Sequence, residues 1–126
     1  MSLILDAGAL VALERGDREL EALLKRELLA RRLPATHGGV IGQVWRGGGS
    51  RQARLPRLLA GVKVTALDEA LGRRAGALLA RTRTKDVIDA ALVLLAVDGD
   101  TILTSDPDDL EPLAAASGIQ LDIVPV

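Results

Sequence analysis

The sequence predicts an α/β fold, a three-layer α/β/α sandwich with a central, mainly parallel sheet. Two observations carry this. The run Leu3–Leu5 has no polar alternation, which suits a strand covered on both faces. Strand-like runs then alternate with segments whose apolar residues recur at three- and four-residue steps, the order that builds a parallel sheet with crossover helices. At 126 residues the chain has the size of one domain, read as a single unit over residues 1–126.

The first strand stops at Asp6. Sites in open α/β sheets form beyond the carboxyl ends of strands, so Asp6 stands where chemistry is expected. It equally suits the N-cap of the helix at Ala7–Leu13. Gly16 breaks that helix and Asp17 caps a second, with Glu19 and Glu21 in its first turn and Arg31 and Arg32 in its last. Leu20, Leu23, Leu24 and Leu28 give it one apolar stripe. Pro34 ends it, and Leu33–Thr36 is a brief second strand feeding a helix from about His37 to Arg46. His37 at that start suits a cap, or a support behind a ligand, better than a ligand.

Gly38, Gly39 and Gly42 each cost about 1 kcal/mol against alanine inside a helix, so another backbone is expected to approach closely there. Val40, Ile41, Val44 and Trp45 supply the buried side, and Gln43 falls near the end of the Thr36 strand. Trp45 suits the core or a dimer contact. Gly47–Gly49 closes the helix; it is no phosphate loop, because such loops follow a strand and open a helix.

Ser50–Ala60 reads as one basic amphipathic helix carrying Arg51, Arg54 and Arg57, the best candidates for phosphate contact. Val62–Val64 is a short strand. A long helix over Thr65–Thr82 is capped near Asp68, its Gly72 and Gly76 again suggesting tight packing. Arg81, Arg83 and Lys85 form a second basic cluster. Asp86–Ala96 starts an apolar helix with Asp86 and Asp89 in its first turn. After the turn at Asp98–Asp100, Thr101–Ser105 is an interior strand ending at Asp106. Pro107 suits the first helical position, which makes Asp106 another cap candidate. The last helix runs to Ser117, Gly118 caps it, and Leu121–Val126 is the final strand.

Composition narrows the function. The chain has no cysteine and one histidine, which excludes disulfides, thiolate metal sites and multi-histidine zinc sites. Trp45 is the only aromatic residue, so recognition of single strands by rows of stacked rings is excluded. No apolar run reaches the roughly 18 residues of a membrane span, and no basic stretch precedes the first apolar run; a cytoplasmic protein is expected. Charge is strongly polarised along the chain. Residues 1–85 hold all 16 Lys and Arg against 8 acids, a net of +8, and residues 86–126 hold 9 acids and no cation, a net of −9. Either the halves pair in space, or they form a polyanion surface and a cation site.

The acids at strand ends favour the second. Asp6, Asp106 and the helix-borne Asp89 meet if the first and fourth strands are neighbours. Carboxylates so placed raise one another's pKa unless a cation joins them. Oxygen donors without His or Cys select a hard ion, Mg²⁺ or Mn²⁺, which serves in-line attack on a phosphodiester. The basic part would hold the polyanion.

Four stretches, Leu3-Ile4-Leu5-Asp6-Ala7-Gly8-Ala9-Leu10, Gln43-Val44-Trp45-Arg46-Gly47, Asp89-Ala90-Ala91-Leu92-Val93 and Leu103-Thr104-Ser105-Asp106-Pro107-Asp108, resemble the signature blocks of PIN domains, in order and spacing and over essentially the whole chain. The likeness is greatest to VapC-type toxins of bacterial toxin-antitoxin pairs. The resemblance implies a metal-dependent endoribonuclease with Mg²⁺ or Mn²⁺ on Asp6, Asp89 and Asp106, with Asp108 as a further acid and Thr104 as a supporting hydroxyl. It also implies a homodimer and a cognate antitoxin whose tail enters the active-site groove. Asp86 is either an alternative ligand or its helix's N-cap. RNA contacts would fall to Arg46, Arg51, Arg54, Arg57, Arg81, Arg83 and Lys85.

One position departs from the pattern. Gln43 stands where the family usually has Glu, so an expected carboxylate is a neutral amide that accepts a hydrogen bond but cannot act as a base. The sequence therefore also fits a PIN-like module that binds RNA or a protein without cutting. Phosphoacceptor receivers and haloacid-dehalogenase-type phosphatases fit poorly: no Lys follows Lys85, and Gly8 stands where the latter need a second Asp.

Overall fold

The computed structural model describes residues 1–126. Five strands, β1 (Leu3–Leu5), β2 (Ala35–His37), β3 (Lys63–Thr65), β4 (Thr101–Thr104) and β5 (Asp122–Pro125), form one sheet in the order β3-β2-β1-β4-β5. Every pairing is parallel, so the sheet is wholly rather than mainly so. Seven helices connect them: α1 (Ala7–Glu14), α2 (Arg18–Leu29), α3 (Gly38–Val44), α4 (Arg54–Leu59), α5 (Glu69–Thr82), α6 (Val87–Val93) and α7 (Pro107–Ser117). α1 packs with α2, α3 and α4, while α5, α6 and α7 pack on one another, giving the three-layer sandwich.

The chain winds outward from β1 through β2 to β3, then crosses back to place β4 on the other side of β1. Leu5 pairs with Leu103 in register, so Asp6 and the β4 end open at the same mouth. This reversal is the switch point where α/β sheets leave a crevice. β1 and β4 are buried throughout, and the core is built of Leu, Ile, Val and Ala with no aromatic ring. No helix is long and apolar enough to cross a membrane.

Local signals fixed most helix starts. Asp17 accepts from Leu20 N at 3.1 Å and Asp68 from Leu71 N at 2.9 Å, each satisfying a backbone donor left free by the first turn. Gly118 closes α7 at φ +74°. Several expectations are corrected. α2 ends at Leu29, before Arg31 and Arg32, because Arg31 turns left-handed at φ +60°. Leu28 is exposed, and Glu27 turns inward instead, its Oε2 accepting from Arg32 Nε and Nη2 at 3.0 and 2.6 Å. Ser50–Ala60 is not one α-helix: a 3-10 turn at Ser50–Gln52 passes through Ala53, itself in right-handed helical geometry, into α4. A methyl at Gly38, Gly42, Gly72 or Gly76 would meet nothing, so none of these marks a close approach. Trp45 is 38% exposed and lies outside the core.

A candidate acidic active site

Asp6 ends β1 and is 5% exposed. Its two carboxylate oxygens have separate tasks. Oδ1 accepts from Ala7 N at 2.7 Å, opening α1, and Oδ2 accepts from the buried Thr104 hydroxyl at 2.7 Å. Thr104 Oγ1 in turn accepts from Asp106 N at 2.9 Å. One hydroxyl thus ties the ends of β1 and β4 and holds Asp6 in place. The cap and site readings of Asp6 describe one residue doing both.

Asp106 occupies the cap position of α7 but makes no capping hydrogen bond; its carboxylate lines the cleft, with Oδ2 accepting from the exposed Ser105 hydroxyl at 3.4 Å. Asp86 does cap: its Oδ1 accepts from Asp89 N at 3.0 Å at the start of α6. His37 holds that helix from below. Its Nδ1 accepts from Gly39 N at 3.0 Å, capping α3, which leaves Nε2 protonated and donating to Ile88 O at 2.9 Å, next to Asp89. Asp89 is half-buried, and its carboxyl is raised to about 7, first by burial and then by the charges of Asp86, Asp6, Asp109 and Asp106.

These groups face one cleft of about 350 Å³, lined by Asp6, Asp86, Asp89, Asp106 and Asp109 with Gln43 and Arg46. Asp108 does not line it; Asp109, one residue on, does. Pro107 at the helix start held the signal, since it puts Asp109 at the third helical position. The acids converge without closing: no three acidic or histidine side chains stand near enough to hold one ion as placed.

Gly8 permits the mouth. A Cβ there would sit 2.9 Å from Ser105 N, closer than backbone tolerates, so α1 starts against the β4 end only with glycine. Of the seven basic residues singled out, Arg46 alone lines the cleft, and Arg51 joins it around an adjoining cavity. Arg54, Arg57, Arg81, Arg83 and Lys85 are exposed elsewhere. The two halves of the charge distribution do not pair. The salt bridges are Arg32–Glu27 and Arg73–Glu69, both within residues 1–85, so none of the nine acids beyond has a cationic partner. Gln52, whose buried amide staples the loop carrying Arg46, has no signature in the sequence.

No family model matches the sequence, and no curated protein does. Among solved structures, the crystal structure of VapBC2 from Rickettsia felis bound to a DNA fragment from their promoter matches with a TM-score of 0.66 at 15% identity, covering 98% of this chain and 99% of that one. At that identity the likeness establishes a shared fold, and it extends over the whole of both chains.

Proposed function

We propose that the protein is a divalent-metal-dependent endoribonuclease, the toxin of a toxin-antitoxin pair, with Asp6, Asp89 and Asp106 holding Mg²⁺ or Mn²⁺. The observation that carries this is the Asp89 carboxyl, raised to about 7 in a cleft with four other unpaired acids. Such a site carries more negative charge than it can hold, and an oxygen-only donor set matches a hard cation. Asp6 is already fixed, so ligation requires side-chain rotation of Asp89 and Asp106 toward it.

The chemistry supplied by a bound ion is polarisation of a phosphoryl oxygen and activation of a water for in-line attack. Thr104 keeps Asp6 oriented for that task. The Gln43 amide oxygen accepts a hydrogen bond from a water but takes no proton. Asp86 has Oδ1 engaged by Asp89 N and Oδ2 free, which makes it the acid able to receive a proton where the family has Glu. Arg46 meets the phosphate at the rim, and the exposed cations beyond guide RNA by charge. An antitoxin partner is supported by the likeness in fold to VapBC2. A homodimer and a cytoplasmic location belong to the same reading.

Gln43 and the spacing of the acids favour a second reading, a module that binds RNA or a protein without cutting. Turnover separates the two. RNA incubated with Mn²⁺ is cut by the wild type, and chelator or Asp6→Asn abolishes the cut; an intact RNA under all conditions would leave only the binding module.

A further inference from the structure

Beside the acid cleft lies a second cavity of about 580 Å³ with no hydrophobic lining, and Arg46 lines both. Its volume is within the roughly 300–1,000 Å³ of small-molecule sites. The cavity is a built one. Gln52, nine-tenths buried, accepts through Oε1 from Arg46 N at 2.8 Å and Gly48 N at 3.2 Å, and donates through Nε2 to Val44 O at 2.8 Å. Its amide is therefore engaged at both ends in fixing the loop that carries Arg46. Gly48 sits at φ +65° with the Trp45 ring against it, where a Cβ would meet Cζ2 at 2.6 Å. Arg46 Nη1 donates to Trp45 O at 2.7 Å, which orients the guanidinium.

Opposite this loop the wall is Glu14, the last residue of α1. It is half-buried and has arginines 46 and 51 around the same cavity, yet it makes no ion pair and its side chain accepts no hydrogen bond. An unengaged carboxylate in a polar cavity is an acceptor-only group awaiting donors. Arginines around it suit phosphate and can stack flat on a base where no aromatic ring is present.

We propose that this cavity is a nucleobase subsite taking guanine from single-stranded RNA, with Glu14 accepting from its N1–H and N2–H groups and Arg46 on the phosphate leading into the acid cleft. The proposal rests on reading that cleft as an RNA site. Guanine alone presents two adjacent donors to a carboxylate. Adenine and cytosine present an amino group beside a ring-nitrogen acceptor, and uracil flanks its one N–H with carbonyls, so each sets a lone pair against Glu14.

The test titrates guanosine, adenosine, cytidine and uridine 5′-monophosphates in chelator, read by the fluorescence of Trp45, the only tryptophan. Guanosine monophosphate binds at least about tenfold more tightly than the others. Glu14→Gln equalises the four, while Glu19→Gln, which removes an exposed carboxylate of α2, keeps the preference. Equal binding of all four, no binding of any, or a preference that survives Glu14→Gln overturns the subsite. RNA cleavage without guanine preference would also overturn it and leave the nuclease reading standing; guanine preference in a chain that cuts no RNA supports the subsite and removes the nuclease.

Discussion

Replacing Asp89 with Asn should stabilise the protein at neutral pH. In the folded chain the Asp89 carboxyl is raised from 3.8 to about 7, by burial first and by Asp86, Asp6, Asp109 and Asp106 after it. A raised carboxyl means that between those values the folded state holds a proton the unfolded state has lost. Stability is therefore fully present below the unfolded value and falls as pH rises through the folded one, by up to about 1.4 kcal/mol per pH unit. Over the whole interval the linkage comes to about 4 kcal/mol, and solvent screening of a half-exposed group reduces it to about 2 kcal/mol. Asn has the same shape and no charge, and the Asp89 side chain makes no hydrogen bond to lose. In urea with chelator, the variant's advantage over wild type should grow by about 1–2 kcal/mol between about pH 5 and about pH 8. An advantage that is constant with pH, or a variant less stable at the higher pH, would refute the electrostatic account of the cleft.

Other perturbations test the frame around it. Thr104→Val removes the donor to Asp6 Oδ2 and the acceptor for Asp106 N. It should cost about 1–3 kcal/mol in chemical denaturation, with weaker Mn²⁺ binding. His37→Ala frees Gly39 N and Ile88 O and opens a cavity in a fully buried place, a loss of about 2–4 kcal/mol by thermal melting. Gly8→Ala forces a Cβ onto Ser105 N and should cost about 1–3 kcal/mol. If its melting temperature equals that of wild type, α1 does not start as close to β4 as described.

The parts that sequence disclosed are those governed by neighbours along the chain. Asp17, Asp68 and Gly118 mark helix ends because a cap acts on donors and acceptors a few residues away. The apolar run before Asp6 and the strand before Asp106 disclosed the parallel sheet and its mouth for the same reason. What stayed hidden depends on packing across the fold. Leu28 and Glu27 exchange inside for outside because Arg32, set beyond a left-handed Arg31, folds back to pair with the acid. The helical spacing of Arg51, Arg54 and Arg57 could not show the change from 3-10 to α geometry at Ala53. At the site, Asp6, Asp89 and Asp106 were legible as acids at strand and helix ends. Asp109 in place of Asp108 was decided by the turn of α7, and the staple by Gln52 had no local signature.

The most direct test of the acidic site is calorimetric titration of Mn²⁺ into the wild type, Asp6→Asn and Gln43→Glu. The wild type should bind one ion per chain, Asp6→Asn should bind at least about tenfold more weakly, and Gln43→Glu, where the cleft regains a carboxylate, should bind more tightly. Binding absent from the wild type but clear in Gln43→Glu, or unchanged by Asp6→Asn, would contradict the metal-site reading.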